Sequence, residues 1–86
     1  MPVYLVERYA AELDADDLGV RLRAAAASLR AEGADVDWLL SIVLPAEDGC
    51  LCLFEASSAA DVVRANERAA MPYDRLVETV ELARGS

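Results

Sequence analysis

Three glutamates interrupt otherwise apolar strand patterns, and their chemistry depends on whether the fold brings them together. Glu7, Glu55 and Glu78 each lie two residues from a leucine or a valine. Because residues two apart on a strand point to the same side, each carboxylate shares a side with apolar residues. Carboxylates that converge repel one another unless a cation, an arginine or a shared proton relieves them. The pattern predicts a divalent-metal site or an acid/base site, or else three glutamates that pair with arginines or reach solvent.

Two cysteines, Cys50 and Cys52, also lie two residues apart in an apolar run. On a strand they would point to one side, where two thiolates could bind a soft metal. Zinc patterns need further cysteine or histidine ligands, and the chain has no histidine. Cysteines between leucines are more typical of a core built with small residues, and we interpret them in that way.

The absence of histidine also limits the possible catalytic mechanisms. Neither Cys52 nor Ser41 has an imidazole to activate it as a nucleophile. The chain lacks a P-loop, a G-x-G-x-x-G loop and an H-E-x-x-H helix. Serine-triad hydrolases, classical nucleotide-binding enzymes and zinc hydrolases are therefore excluded.

Asn66 is an unexpected polar residue on an apolar helix face. It lies between Val62 and Ala69, at a spacing that should pack against a sheet. A buried amide needs hydrogen-bond partners. Either the nearby backbone or water satisfies this amide, or it orients a ligand in a pocket between helix and sheet, lined by Trp38 and Tyr73. The predicted ligand-binding residues are Glu55, Asn66, Trp38 and Tyr73.

The spacing of the apolar residues predicts the strands and helices that position these side chains. Alternation predicts a first strand from Val3 to Arg8. The next segment predicts a helix with Asp14 as its N-cap and Gly33 at its end. A second strand from Asp35 to Leu44 leads into the sequence PAEDG, which is typical of a hairpin turn.

The second half of the chain has a similar plan. A third strand is predicted from Cys50 to Glu55. A second helix begins at a cap on Ser57 or Ser58 and runs to about Met71. Pro72 ends this helix, because the residue before a proline disfavours helical backbone. The segment DRLVETVEL predicts a fourth strand.

The element order β-α-β-β-α-β predicts one ferredoxin-like α+β domain over residues 1–86. The predicted sheet is a four-stranded antiparallel sheet in which right-handed crossovers give the strand order 4-1-3-2, with both helices on one face. The prediction treats strands one and three as parallel neighbours whose carboxyl ends meet, with the start of strand four at the same end. Glu7, Glu55 and Glu78 then converge on one rim as a predicted set of metal ligands.

The other face of the predicted sheet is apolar as well. Val36, Trp38 and Leu40 alternate on one side of the second strand, whereas Leu39 and Val43 lie on the other. A sheet that is apolar on both faces needs cover on both, and the chain has no third helix to provide it. We therefore predict a homodimer in which two sheets pack face to face, as a dimeric α+β barrel.

Composition narrows the partners and the location. Sixteen acidic against eight basic residues give a net charge of −8, which repels nucleic acid and anionic membrane surfaces. No apolar run reaches the ~20 residues that span a membrane, and the N-terminus lacks the pattern of a secretory signal. Cysteines without a disulfide fit a reducing compartment. We expect a cytoplasmic protein.

Four segments together resemble a family of small bacterial proteins described as nickel-binding or nickel-responsive. They are YLVER at 4–8, WLLS at 38–41, CLFEASSA at 52–59 and MPYDRLVETV at 71–80. The resemblance implies a dimeric ferredoxin-like fold and divalent-metal binding, with nickel as the metal. Family members often have a histidine in the second helix shortly before the proline, where this chain has Asn66 or Glu67. An amide oxygen is a poor nickel ligand, so a site here would be oxygen-rich and would suit harder cations.

These observations predict a small cytoplasmic homodimer that binds a divalent metal or a small ligand and does not itself catalyse a reaction. An alternative is a cofactor-free enzyme of the dimeric α+β barrel type, an isomerase or cyclase that uses a glutamate as its acid or base. That hypothesis requires a mostly apolar cavity that holds one of the glutamates. A third interpretation is a structural or interaction module whose acidic surface keeps it in solution.

Overall fold

Strands and helices follow one another along the chain in the predicted order. The computed structural model describes residues 1–85, with strands β1 (Val3–Tyr9), β2 (Val36–Leu44), β3 (Gly49–Ala56) and β4 (Arg75–Thr79) and helices α1 (Ala15–Ala31) and α2 (Ala59–Arg68). A 3₁₀ turn at Pro45–Glu47 joins β2 to β3. The α+β class is confirmed, and each strand begins within one residue of its predicted start.

Both helices begin at the side-chain caps that the sequence indicates. Asp14 accepts hydrogen bonds from the backbone N–H groups of Asp16 and Asp17, at 3.0 and 3.1 Å. Of the two candidate serines, Ser58 is the cap of α2, since its hydroxyl accepts from the first turn at 3.3 Å. Gly33 follows α1 with φ of 97°, a conformation that glycine adopts without steric cost. These local signals are sufficient to fix where the helices begin.

Helix α2 ends earlier than predicted, at Arg68 rather than Met71, because Ala70 adopts a left-handed conformation with φ of 55°. The backbone N–H groups of Ala70 and Met71 donate to the carbonyls of Glu67 and Asn66, at 2.9 and 3.0 Å. This hydrogen-bond pattern is a Schellman motif, in which glycine usually occupies the position of Ala70. The motif turns the chain out of the helix and into the connection that leads to β4.

We expect Ala70→Gly to stabilise the protein, by about 1 kcal/mol, because glycine removes the clash between Cβ and the carbonyl in left-handed backbone. Urea unfolding measures the change in the free energy of unfolding. Ala27→Gly, at an exposed position within α1, is the matched control and should destabilise by about 1 kcal/mol. A loss of stability in both variants would contradict the left-handed assignment.

The four strands form one antiparallel sheet in the order β2-β3-β1-β4, which is the predicted order counted from the other edge. β1 and β3 are antiparallel, with Val3 opposite Glu55 and Glu7 opposite Leu51. The predicted antiparallel sheet is confirmed, whereas the parallel placement of these two strands, on which the predicted glutamate site depended, was wrong. The crossover through α1 makes β1 and β2 parallel, and the tight turn after β2 reverses the chain, so β3 runs antiparallel to both of its neighbours.

One face of the sheet packs against the two helices and forms the core. The buried core residues are Leu18, Leu22, Ala25, Ala26 and Leu29 of α1, Val62 and Ala65 of α2, Ala69 at the end of α2, and Tyr4, Val6, Val36, Cys50, Cys52, Phe54 and Ala56 of the sheet. Both cysteines are thus small core residues, as the sequence indicated. Among residues 1–85, no helix has the length and apolar character needed to cross a membrane.

A β-bulge in β2 changes which side chains face the helices. Trp38 lies opposite Phe54, but the next residue paired with β3 is Leu40, which lies opposite Leu53. Leu39 is therefore an extra residue that has no partner in the ladder. An inserted residue of this kind reverses the alternation of every side chain that follows it.

Because of the bulge, the residues of β2 that follow it face the sides of the sheet opposite to those predicted. Beyond it, Ile42 lies opposite Leu51, and Val43 lies opposite Cys50. Since Cys50 faces the helices, Val43 is on the helix side of the sheet, and the other face receives Leu40 and Ile42 instead. The predicted placement of Val43 was wrong, because simple alternation does not allow for the extra residue.

The face of the sheet away from the helices is apolar and has no covering element among residues 1–85. We call it the open face, and its apolar residues are Val3, Leu5, Leu40, Ile42, Leu51, Leu53 and Val77, with Leu39 at the bulge. Leu40 and Ile42 are 42% and 48% exposed. A contiguous exposed patch of large apolar side chains is typical of an interaction surface.

Candidate functional site

Strand β1 places an arginine in the core of the protein. Arg8 alternates with Tyr4 and Val6, so its side chain faces the helices, and it is only 2% exposed. Its Nη2 donates a hydrogen bond to Oδ1 of Asn66, a fully buried residue of α2. Within residues 1–85, Arg8 and Asn66 are the buried polar or charged residues. This pair is the centre of the candidate site.

The amide of Asn66 is oriented by its own helix. Its Nδ2 donates to the carbonyl oxygen of Val62 at 2.8 Å, which leaves Oδ1 to accept from Arg8. The sequence indicated Asn66 as a possible orienting group, and the group that it contacts is an arginine. Sequence reasoning missed Arg8, although its alternation with Val6 was the signal that could have found it.

Arg8 has no carboxylate partner among residues 1–85. Its Nε and Nη1 atoms are buried and make no hydrogen bond to any described residue. Six of the other arginines form ion pairs with carboxylates, and the Cζ of Arg23 lies 5.4 Å from the centroid of the Trp38 ring. Burial of a cation without a counter-charge is unfavourable. The interior formed by residues 1–85 therefore holds one uncompensated positive charge and two donor nitrogen atoms without a partner.

Two buried thiols lie near this charge. Cys50 is opposite Arg8 in the ladder of β1 and β3, and the Sγ atoms of Cys50 and Cys52 are 3.7 Å apart. Burial, with a further contribution from Cys52, raises the pKa of Cys50 to about 11, although Arg8 acts in the opposite direction. Cys50 is thus a neutral thiol near pH 7. It therefore neither balances the charge of Arg8 nor serves as a thiolate nucleophile near pH 7.

The three glutamates of the predicted metal site do not converge. Glu7 and Glu55 share the open face, but Glu7 lies opposite Leu51, so that the two carboxylates are separated by about 13 Å along β3. Glu78 lies opposite Tyr4 and therefore points to the helix side of the sheet. The antiparallel direction of β3 and the alternation of β4 place the three glutamates apart.

Glu7 also has partners of its own. Nη1 of Arg75 lies 3.3 Å from its carboxylate, and the hydroxyl of Tyr9 donates to it at 3.1 Å. Residues 1–85 contain no group of three histidine, cysteine, aspartate or glutamate side chains placed to hold a metal ion. Within one subunit, the described residues therefore do not bring Glu7, Glu55 and Glu78 together as a set of metal ligands.

The predicted ligand-binding residues are divided between different parts of the fold. Tyr73 and Asn66 both line a cleft of about 400 Å³ at the end of α2. Trp38 lies elsewhere, with its ring beneath Arg23 and its Nε1 donating to a serine of its own strand at 3.0 Å. Glu55 belongs to the open face. Asn66 and Tyr73 are thus brought together, and Trp38 and Glu55 are not.

A second cleft reaches Arg8 itself, and we call it the Arg8 cleft. It has a volume of about 190 Å³, and its walls include Arg8, Tyr9, Leu13, Met71, Tyr73 and Asp74. Five clefts of the described residues have volumes of about 190 to 600 Å³, and none of these five is lined by any of the three glutamates. None of them is therefore the cavity that the enzyme hypothesis requires.

The chain matches a known family over most of its length. A family model described as "Nickel responsive protein SCO4226-like" matches residues 4–79. The chain belongs to this family. The crystal structure of SCO4226 from Streptomyces coelicolor A3(2) is similar to this chain, with a TM-score of 0.74 at 23% identity. The match covers 94% of the present chain and 99% of the SCO4226 chain. The two proteins share the same fold. No curated protein matches the chain.

The family description names nickel, but the residues of this SCO4226-like chain do not fit a nickel site within one subunit. Imidazole nitrogen is a common ligand of nickel, and the chain has no histidine. No group of three potential metal-ligating side chains occurs among residues 1–85, and the carboxylate of Glu7 is paired with Arg75. Nickel responsiveness therefore describes the family and does not identify a donor set in this subunit.

Proposed function

We propose that this SCO4226-like protein is a non-catalytic, cytoplasmic binding protein that forms a homodimer through its open face. The observation that carries the proposal is the uncovered apolar surface, where Leu39, Leu40 and Ile42 are 42 to 48% exposed. An antiparallel sheet that leaves one face in water normally carries polar residues there. Packing against a second copy would remove this surface from water, which is favourable by roughly 25 cal/mol per Å².

The distribution of charge on the open face supports a self-complementary interface. The centre of the face is apolar, whereas the ion pair of Glu7 with Arg75 lies towards one end of β1 and Glu55 towards the other. Interfaces commonly combine an apolar centre with a polar rim. A two-fold axis brings the same surface of each copy together, so one patch of this kind is sufficient for both subunits.

The side-chain chemistry supports binding rather than catalysis. The chain has no histidine, and the thiol of Cys50 is protonated near neutral pH. The Arg8–Asn66 pair provides a fixed positive charge, which can hold a ligand but does not exchange protons under physiological conditions. The isomerase or cyclase alternative remains a prediction that no described cleft supports.

The state of the cysteines supports the cytoplasmic location. Cys50 and Cys52 are both free thiols, with Sγ atoms 3.7 Å apart. Free thiols persist in compartments that glutathione and thioredoxin keep reduced.

The mass of the wild-type protein in solution tests the proposed assembly. At micromolar concentration, static light scattering should give twice the chain mass of 9.3 kDa, because the open face is buried between two copies. A mass near 9.3 kDa at the same concentration would contradict the homodimer.

A further inference from the structure

Arg8 presents an electrostatic problem that the protein alone does not solve. The residue is 2% exposed, and its guanidinium makes one hydrogen bond, to Asn66, while Nε and Nη1 have no partner among residues 1–85. A guanidinium remains charged under all physiological conditions. A buried charge of this kind is normally paired, because its desolvation is costly. The unmet donors indicate that an acceptor from outside the described chain completes the site.

The surrounding side chains do not provide the missing negative charge. Cys50, the cross-strand neighbour of Arg8, is kept as a neutral thiol chiefly by its burial. Asp74 lines the same cleft, but its Oδ2 accepts a hydrogen bond from the backbone N–H of Tyr9 at 2.7 Å and not from Arg8. The carboxylate of Asp74 therefore fixes the connection between α2 and β4 against the end of β1.

The Arg8 cleft has the size and lining for a small organic molecule. Its volume of about 190 Å³ corresponds to roughly six water molecules. Its apolar wall includes Leu13, Met71 and Tyr73, which also pack against the core. One buried cation among apolar side chains suits an organic anion with an apolar part better than a fully hydrated inorganic ion.

We propose that the Arg8 cleft binds a small carboxylate, whose charged group pairs with the guanidinium of Arg8 and whose apolar part lies against Leu13 and Met71. A carboxylate accepts charge-assisted hydrogen bonds and supplies a whole counter-charge in one planar group. Asn66 is a positioning residue, because it holds the guanidinium while its own amide is fixed by the carbonyl of Val62. The proposal names the ligand class for the binding function proposed above, but it uses groups of one subunit and does not depend on the dimer.

An NMR titration of ¹⁵N-labelled wild-type protein with sodium butyrate tests the site. The Nε–Hε signals of the arginines are followed, and the Arg8 signal is identified by its loss in Arg8→Met. Butyrate should shift the Arg8 signal and saturate, whereas sodium chloride at equal ionic strength should leave it in place. Inorganic phosphate, added in parallel, should give a much weaker response.

Two variants that each change one charge should alter the affinity for butyrate in opposite directions. Asp74→Asn keeps an acceptor for the N–H of Tyr9 while it removes the negative charge from the cleft, so butyrate should bind severalfold more tightly. Asn66→Asp supplies a counter-charge to Arg8 from within the protein and should weaken butyrate binding by about tenfold or more. Arg23→Met, which changes an arginine outside the Arg8 cleft, is the control and should bind as the wild type does.

Each result either supports the site or overturns it. Failure of butyrate to give a saturating shift in the folded wild-type protein would mean that water alone satisfies Arg8, and the proposal would be lost. An equal response to phosphate would overturn the assignment to carboxylates. Because Arg8→Met alters the core, the decision rests on the wild type and on Asp74→Asn, whose folding circular dichroism verifies. Butyrate binding by a protein that scatters as a monomer would refute the dimer and leave this site intact.

Discussion

Replacement of Asn66 by leucine should lower the free energy of unfolding by about 3 kcal/mol, a large share of the stability of a small domain. The change removes the one hydrogen bond that the buried guanidinium of Arg8 makes to the protein. Leucine has the same branched shape as asparagine and is not smaller, so the loss would not come from a cavity. Urea unfolding at a fixed protein concentration measures the effect, since dissociation of a dimer makes apparent stability depend on concentration.

The same Asn66→Leu change can be measured in a protein that carries Arg8→Met, which serves as the control for this prediction. Methionine keeps the apolar length of the side chain and removes its charge, and replacement of a buried ionic group by an apolar one of similar volume is often neutral or stabilising. In this background, Asn66→Leu should cost less than about 1 kcal/mol, which corresponds to a coupling energy of about 2 kcal/mol between the two positions. Equal costs in both backgrounds would show that Asn66 contributes by packing alone and would contradict the account.

The second large effect is expected from Ile42→Asp, which should convert the proposed homodimer into a monomer. Ile42 is 48% exposed on the open face, and the two-fold axis would place an unpaired carboxylate in the interface twice. A penalty of about 4 kcal/mol raises the dissociation constant roughly a thousandfold. Light scattering should then give a mass near 9.3 kDa at a concentration at which the wild type is a dimer.

Two valines serve as matched controls for this variant. Val20 is 64% exposed but belongs to α1, so Val20→Asp adds the same charge on the helix side and should leave the mass unchanged. Val43 lies opposite Cys50 on the helix side of the sheet, at its edge, and Val43→Asp should also leave the dimer intact. Dissociation by Val43→Asp with no effect of Ile42→Asp would mean that the open face is not the interface.

The architecture could be predicted from the sequence because local signals determine it. Asp14 and Ser58 cap the two helices with their own side chains, and these interactions act within a few residues. The order of strands and helices and the crossover rules then gave the strand order. Each of these inferences depends on neighbours in the chain or on general rules of chain connection.

The faces of β2 and the predicted metal site were less predictable, because they depend on strand direction and exact register. The extra residue at Leu39 reverses the alternation of β2, and no residue type in that segment marks it. The predicted convergence of Glu7 with Glu55 required parallel strands, but β1 and β3 are antiparallel. The alternation of β4 also places Glu78 on the helix side of the sheet. One error in strand direction and one in facing therefore separate the three glutamates within the subunit.

Arg8 was missed for a different reason. A charged residue near the end of a predicted strand is usually taken to reach solvent, and Arg8 was treated only as a possible partner for a glutamate. Its alternation with Tyr4 and Val6 placed it on the helix side all along. Its burial against Asn66 then depends on how closely α2 approaches β1, which the sequence does not give.

The most direct test of the proposed homodimer uses Ile42, the only isoleucine in the chain. The sample mixes equal amounts of protein with labelled isoleucine methyl groups and unlabelled protein. The δ1 methyl of Ile42 then gives one resonance, and its contacts with the other subunit appear as intermolecular NOEs. If the open face forms the homodimer, this methyl should give NOEs to aliphatic protons of the other subunit. It should also be protected from a soluble paramagnetic agent. A methyl that shows no intermolecular NOE and is strongly broadened by the agent would contradict the proposed homodimer.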